Sequence, residues 1–150
     1  MTEVNGLRLA FRGLVAGMAA GWVWLATAMI GSLAIGDDPL RPLSIIGAHA
    51  PTAGLVLAAA VVQIAAAGIG MGFAYFFGRY FTVRSTLFAA ATIFALLAWL
   101  AVANVRAGGT GWTGQLVFCI AALAYGGILG AQTPLRGDVL RYPSAGSAST

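Results

Sequence analysis

The stretch GLVAGMAAGWVWLATAMIGSLAIG, residues 13–36, decides the fold of this chain. It runs for more than twenty residues without a charged side chain, and about 20 apolar residues in a helix are enough to cross a hydrocarbon core of about 30 Å. Only helices and closed barrels satisfy their backbone groups in lipid, and the stretch lacks the alternating pattern of barrel strands. It therefore predicts a membrane-spanning helix.

The composition extends this prediction to the whole chain. Of its 150 residues, 60% are hydrophobic and 8% are charged, and the mean hydropathy is +0.90. Soluble domains have about 25% charged residues, so this chain cannot cover a water-facing surface. The net charge of +4 does not indicate nucleic acid as a partner, because the arginines lie singly at the ends of apolar runs, where they contact lipid head groups.

Three further apolar runs complete an all-α fold, an integral membrane bundle of four transmembrane helices. The predicted spans are residues 9–35, 51–78, 86–104 and 113–133, with an outer loop at 36–50 and a tail at 134–150. Two of the eight arginines, Arg41 and Arg106, fall on one side of this arrangement. The other six fall on the opposite side: Arg8, Arg12, Arg79, Arg84, Arg136 and Arg141. Because arginine is enriched in cytoplasmic loops, both termini are predicted to be cytoplasmic.

Small residues recur at four-residue spacing on three of the spans. In lipid such residues allow helix backbones to approach closely. The predicted packing positions are Gly13, Gly17 and Gly21 in the first span, Gly68 and Gly72 in the second, and Gly126 and Gly130 in the fourth. They indicate packing within the bundle or a contact face for another subunit. The third span has no glycine and is predicted to face lipid.

The middle of each span lacks Asp, Glu, Lys, Arg and His. Proton- or ion-coupled carriers need such a group there, and no catalytic constellation is present, so neither a coupled carrier nor an enzyme is expected. Gln63, Thr92 and Gln115 are the predicted buried polar residues. Their side chains indicate hydrogen bonds between helices, with a substrate or quinone contact as the alternative.

The outer loop contains the only histidine. In IGDDPLRPLSIIGAHAPT, residues 35–52, an Asp followed by Pro is typical of a helix start and favours a capped interfacial loop. A metal site formed by Asp37, Asp38 and His49 is a second interpretation, since carboxylate and imidazole groups are suitable ligands. In a third, His49 is an axial ligand to a haem or chlorophyll.

The layout resembles a group of small bacterial four-span membrane proteins of uncharacterised function. The resemblance rests on the glycine-spaced GLVAGMAAGWVWL of the first span, a proline-containing outer loop and the YGGILG of the fourth span. It covers most of the chain and implies no known activity.

These features predict a multi-pass protein of the bacterial inner membrane that is a non-catalytic accessory or structural subunit of a larger complex, respiratory or photosynthetic. The alternatives are a transport or channel component for a small neutral solute, with Gln63, Gln115 and Thr92 lining its path, and a pigment- or haem-carrying subunit. Membrane lipids and other membrane subunits are the expected partners, and bound lipid is the expected ligand. Haem, quinone and chlorophyll are the cofactors considered.

Overall fold

A computed structural model describes residues 6–46, 52–105 and 111–135, and its regular structure in these ranges is entirely helical. The helices are α1 (Gly6–Ala34), α2 (Arg41–Ile46), α3 (Thr52–Phe77), α4 (Arg84–Val105) and α5 (Trp112–Gln132). All except α2 are long and apolar enough to cross a membrane. Each of these four begins and ends within three residues of its predicted span. His49 and the tail from residue 136 onward lie outside the described residues.

The bundle is organised around α1, which packs along both α3 and α5, while α4 packs along α5. Between α3 and α4 the contact is made by aromatic rings, with centroids 5.6 Å apart for Phe73 and Phe94 and 6.4 Å apart for Phe77 and Phe94. The starts of α1 and α4 and the ends of α3 and α5 lie together. We call this the arginine-rich end, because Arg8, Arg12, Arg79 and Arg84 belong to it.

Small side chains dominate the interior, as expected where backbones must approach without a hydrophobic force between helices. Larger residues fill the space that the small ones leave between α3, α4 and α5. The main cluster consists of Ala16, Ala20, Ala66, Phe73, Leu87, Ala91, Ala95, Tyr125 and Leu129. α4 is the most peripheral of the four long helices, with 17% of its apolar window buried against 39% for α1 and α5.

The turn after α1 contains a glycine, Gly36, in a backbone conformation that glycine adopts more easily than other residues. Gly36 has φ +76°, in the left-handed region. Its N–H donates to the Leu33 carbonyl at 3.0 Å, and the next N–H, of Asp37, donates to the Ser32 carbonyl at 2.9 Å. This Schellman pattern satisfies the last carbonyls of α1. It also turns the chain towards α2, whose Leu43 packs against Leu25.

Candidate functional site

The closest backbone approach in the molecule is between α1 and α3. A Cβ atom added at Gly17 would lie 2.3 Å from the Ala66 carbonyl oxygen, and one added at Gly70 would lie 2.4 Å from the Gly13 carbonyl oxygen. Real Cβ atoms do not approach that closely, so any side chain at these positions would separate the two helices. Gly13 and Gly17 therefore lie where the spacing in the first span predicts a packing face.

On α3 the packing face is not the one predicted. A Cβ added at Gly68 or Gly72 would have no neighbour within 4 Å, and Gly68 is exposed. The assignment of these two glycines to packing within the bundle is therefore wrong. The residues that face α1 are Ala66, Gly70 and Ala74, which form a second small-residue stripe. Two positions along a helix correspond to a rotation of about 200°, so the stripes lie on nearly opposite faces.

Gln63 ties α3 to the backbone of α1. In the amide orientation that satisfies both neighbours, its Nε2 donates to the Met18 carbonyl at 3.2 Å and its Oε1 accepts from the Trp22 N–H at 3.3 Å. The amide reaches this backbone because Gly21 has no side chain: in the same orientation, a Cβ there would lie 2.9 Å from Gln63 Nε2. Gly21 thus makes room for a polar contact as well as for a close approach.

A second polar contact joins α5 to α3. The Tyr125 hydroxyl donates to the Ala66 carbonyl oxygen at 2.9 Å, and Tyr125 is buried. Sequence reasoning missed this residue. The only signal for it was its position well inside the fourth span, away from the interface where tyrosine is usual.

The α4–α5 interface contains the remaining predicted glycines and Thr92. A Cβ added at Gly126 would lie 2.7 Å from Thr92 Cα, and one at Gly130 would lie 2.7 Å from Phe88 Cα. The Thr92 hydroxyl donates to the Phe88 carbonyl of its own helix at 2.9 Å. Its polar atom is thus satisfied locally and contributes no hydrogen bond to another helix.

The three predicted polar residues do not meet. Gln63 lies against α1, Thr92 lies between α4 and α5, and Gln115 is in the first turn of α5. Tyr125 marks the level of Gln63 on α5, because its hydroxyl bonds to Ala66, three residues after Gln63 on α3. Gln115 lies ten residues before Tyr125, which corresponds to about 15 Å of helix. The described residues therefore bring no two of these side chains into one lined path.

At the opposite end of the bundle, both aspartates take part in local structure. Arg41 forms an ion pair with the Asp37 carboxylate, and the Asp38 carboxylate accepts from the Leu40 N–H at 2.8 Å. The described ranges contain no group of three His, Cys, Asp or Glu side chains that could hold a metal. His49, the third member of the predicted metal site and the predicted axial ligand, lies outside those ranges.

Comparisons of the chain with protein-family models, with curated proteins and with solved structures give no match. The features of the bundle that bear on its function are therefore its packing surfaces and its polar contacts.

Proposed function

We propose that this chain is a non-catalytic subunit of a larger membrane assembly, joined to its partner through the outward face of α3. The observation that carries the proposal is the outward stripe of Ala65, Gly68 and Gly72. Ala65 and Gly68 are exposed, and an added Cβ at either glycine meets nothing in this chain.

Glycine on an outward helix face has a cost that lipid does not offset. In helix interiors glycine is about 1 kcal/mol less favourable than alanine, measured in water. Lipid tails adapt to any surface, so a glycine facing them gains no contact. A neighbouring helix gains close backbone approach at the same position. The outward stripe has the same small residue types as the inner stripe, where an added Cβ at Gly70 would lie 2.4 Å from the Gly13 carbonyl oxygen.

The interior of the bundle supports packing as its main task. Among the described residues, every buried side-chain nitrogen or oxygen atom has a hydrogen-bond partner. The hydroxyls of Tyr125 and Thr133, for example, donate to main-chain carbonyls. No Asp, Glu, Lys, Arg or His side chain lies in the middle of a span to drive a reaction or a pump. Since Gln63, Thr92 and Gln115 lie apart, no observation favours the transport hypothesis over the subunit.

The proposal includes the bacterial inner membrane as the location and the cytoplasm as the side of both termini. Four of the six arginines predicted on that side lie at the arginine-rich end, while Arg41 lies at the opposite end. Excess arginine on one side favours a cytoplasmic position for that side.

Purification of the native chain in a mild detergent or a polymer-bounded nanodisc tests the subunit proposal. We expect a stoichiometric partner by mass spectrometry, and its loss in the variant Gly68→Leu/Gly72→Leu. Ala89→Leu is the matched control, because Ala89 is exposed on α4 and the change is also from small to large. Isolation of the wild-type chain as a lone monomer would contradict the proposal, and so would retention of the partner by the double variant.

A further inference from the structure

A groove of about 460 Å³ opens on the surface at the arginine-rich end, where α3 lies beside the start of α1. Its walls are side chains of the first turns of α1 together with one residue of α3. The lining residues are Leu7, Arg8, Ala10, Phe11, Arg12, Leu14 and Met71. The exposed lining is almost entirely apolar, so Arg8 and Arg12 contribute the aliphatic parts of their side chains to it.

The two arginines are placed to hold one phosphate group. Arg8 and Arg12 are exposed and lie four residues apart, so their Cβ atoms are about 5–6 Å from each other on one helix face. A guanidinium group binds phosphate oxygens through two parallel N–H donors. Two such groups, one helical turn apart, can therefore contact the same phosphate.

A third positive charge, Arg79, lies at the same end of the bundle, in the turn that follows α3. The Arg79 guanidinium carbon lies 5.6 Å from the centre of the Tyr75 ring. That ring is itself beside the first turn of α1, with its Cε2 atom 3.0 Å from where a Gly6 Cβ would be. Of the described residues, the acidic ones are Asp37 and Asp38, at the opposite end of α1. Among the described residues, the charged side chains at this end are therefore all positive.

In a bilayer, the groove would extend from the head-group layer into the acyl chains, as a phospholipid does. α1 has 29 residues and is about 43 Å long, whereas the hydrocarbon core is about 30 Å thick. The first turn, with Arg8, thus lies among head groups, and Arg12 reaches that layer with its flexible side chain. Phe11, Leu14 and Met71 lie at the depth of the acyl chains.

We propose that this groove binds one phospholipid with a net negative head group, its phosphate on Arg8 and Arg12 and one acyl chain along Leu14 and Met71. The charge of the site selects an anionic over a zwitterionic lipid. This inference does not depend on the proposed partner of α3, because the groove opens beside α1 and needs no second chain.

The first test is a titration of the purified full chain with phosphatidylglycerol and with phosphatidylcholine, read by native mass spectrometry. Wild type should bind phosphatidylglycerol more tightly. A basic residue near an anionic lipid contributes about 1 kcal/mol, or about fivefold. Arg8→Gln/Arg12→Gln should therefore weaken phosphatidylglycerol binding by about 25-fold and phosphatidylcholine binding by a smaller factor, because the choline group of phosphatidylcholine offsets the charge of its phosphate. Equal affinity of wild type for the two lipids would overturn the proposal, and so would undiminished phosphatidylglycerol binding by the double variant.

The second test fills the apolar part of the groove without changing any charge. Met71→Trp should reduce the occupancy of phosphatidylglycerol, because the indole takes the space of the acyl chain. Met18→Trp is the matched control, since Met18 has a similar exposed fraction, 42% against 40% for Met71, and lies outside the groove. Lipid binding by Met71→Trp that equals that of Met18→Trp would refute the position of the acyl chain.

Discussion

At the scale of single residues, the polar groups in the spans show how a membrane protein uses side chains that lipid cannot solvate. Gln63 was predicted from its type and depth to make a hydrogen bond between helices. The structure adds that its partners are main-chain atoms of α1, at Met18 and Trp22. A sequence cannot supply this detail, because the contact depends on the gap that Gly21 leaves on a different helix.

Gln63→Leu should lower the free energy of unfolding by about 1 kcal/mol. Hydrogen bonds between membrane helices contribute about 0.6–1.7 kcal/mol, and leucine cannot bond to the α1 backbone. The measurement is reversible unfolding in mixed micelles of dodecylmaltoside and dodecyl sulfate, followed by circular dichroism. Ile64→Leu is the control, because Ile64 is 72% exposed and should tolerate the change. Equal stability of Gln63→Leu and wild type would show that the amide contact contributes nothing.

At the scale of elements, α3 has small residues on two faces. The inner stripe, Ala66, Gly70 and Ala74, packs on α1, and the outer stripe begins only one position away at Ala65. The intervals are four residues in the inner stripe and three and then four in the outer stripe, and both patterns place residues on one helix face. Spacing alone therefore cannot distinguish the packed face from the exposed one. The sequence leaves two interpretations of Gly68 and Gly72; the structure contradicts packing within the bundle, and a contact face for another subunit stays a proposal.

A matched pair of substitutions measures this difference between the faces. Gly17→Ala should destabilise the bundle by about 2 kcal/mol, the middle of the range for overpacking, because its methyl group would meet the Ala66 carbonyl. Gly68→Ala adds the same methyl group where nothing lies within 4 Å, and should leave stability unchanged or raise it slightly. Both variants can be compared in the same micellar unfolding experiment. If both lose stability equally, Gly68 is not on an outward face.

Arg84 belongs to the arginines that predict the orientation of the chain, and it also connects α4 to α5. Its guanidinium donates to the carbonyls of Ala131 at 2.9 Å and Thr133 at 2.7 Å. The last carbonyls of a helix lack partners within the helix and carry partial negative charge. The contact therefore caps α5 and holds the start of α4 beside it.

Arg84→Gln should destabilise the pairing of α4 with α5 and lower the free energy of unfolding by about 1 kcal/mol. Hydrogen bonds from a charged donor are strong, but water partly screens this side chain and reduces their contribution. Arg84→Lys should recover part of the loss, because it keeps the charge without the planar pair of donors. Thermal unfolding monitored by the fluorescence of the chain's tryptophans gives the order of the variants. Stability of Arg84→Gln equal to wild type would mean that the contact is not formed in the bilayer.

At the scale of the whole molecule, four crossings place the start of α1 and the end of α5 on one side of the membrane, with α2 on the other. The proposed orientation of this unit is based on the distribution of arginine, which acts during insertion and not through contacts in the folded bundle. The interior packs through small residues and satisfied polar groups. The surfaces left over for partners and lipids are the outward face of α3 and the groove at the start of α1.

The orientation predicts opposite labelling of two serine positions. Ser44→Cys in α2 should react with a membrane-impermeant thiol reagent on intact cells, whereas Ser85→Cys at the start of α4 should react only after permeabilisation. Both serines are exposed, so the reactivity should depend on the side of the membrane. The native Cys119 lies within the fourth span, and replacing it with serine removes the background. Labelling of Ser85→Cys on intact cells would reverse the proposed topology.

Sequence alone determined how many helices cross the membrane, how long they are and which ends are rich in arginine. These properties are local, because in lipid each helix satisfies its own backbone and its length follows from its apolar run. Only the tertiary structure decided how each helix is rotated about its axis. It turned Gly70 inward and Gly68 outward and brought Tyr125 to Ala66. The rotation of a helix depends on how its surface fits a neighbouring helix. The sequence pattern of a single span does not indicate which residues that neighbour presents.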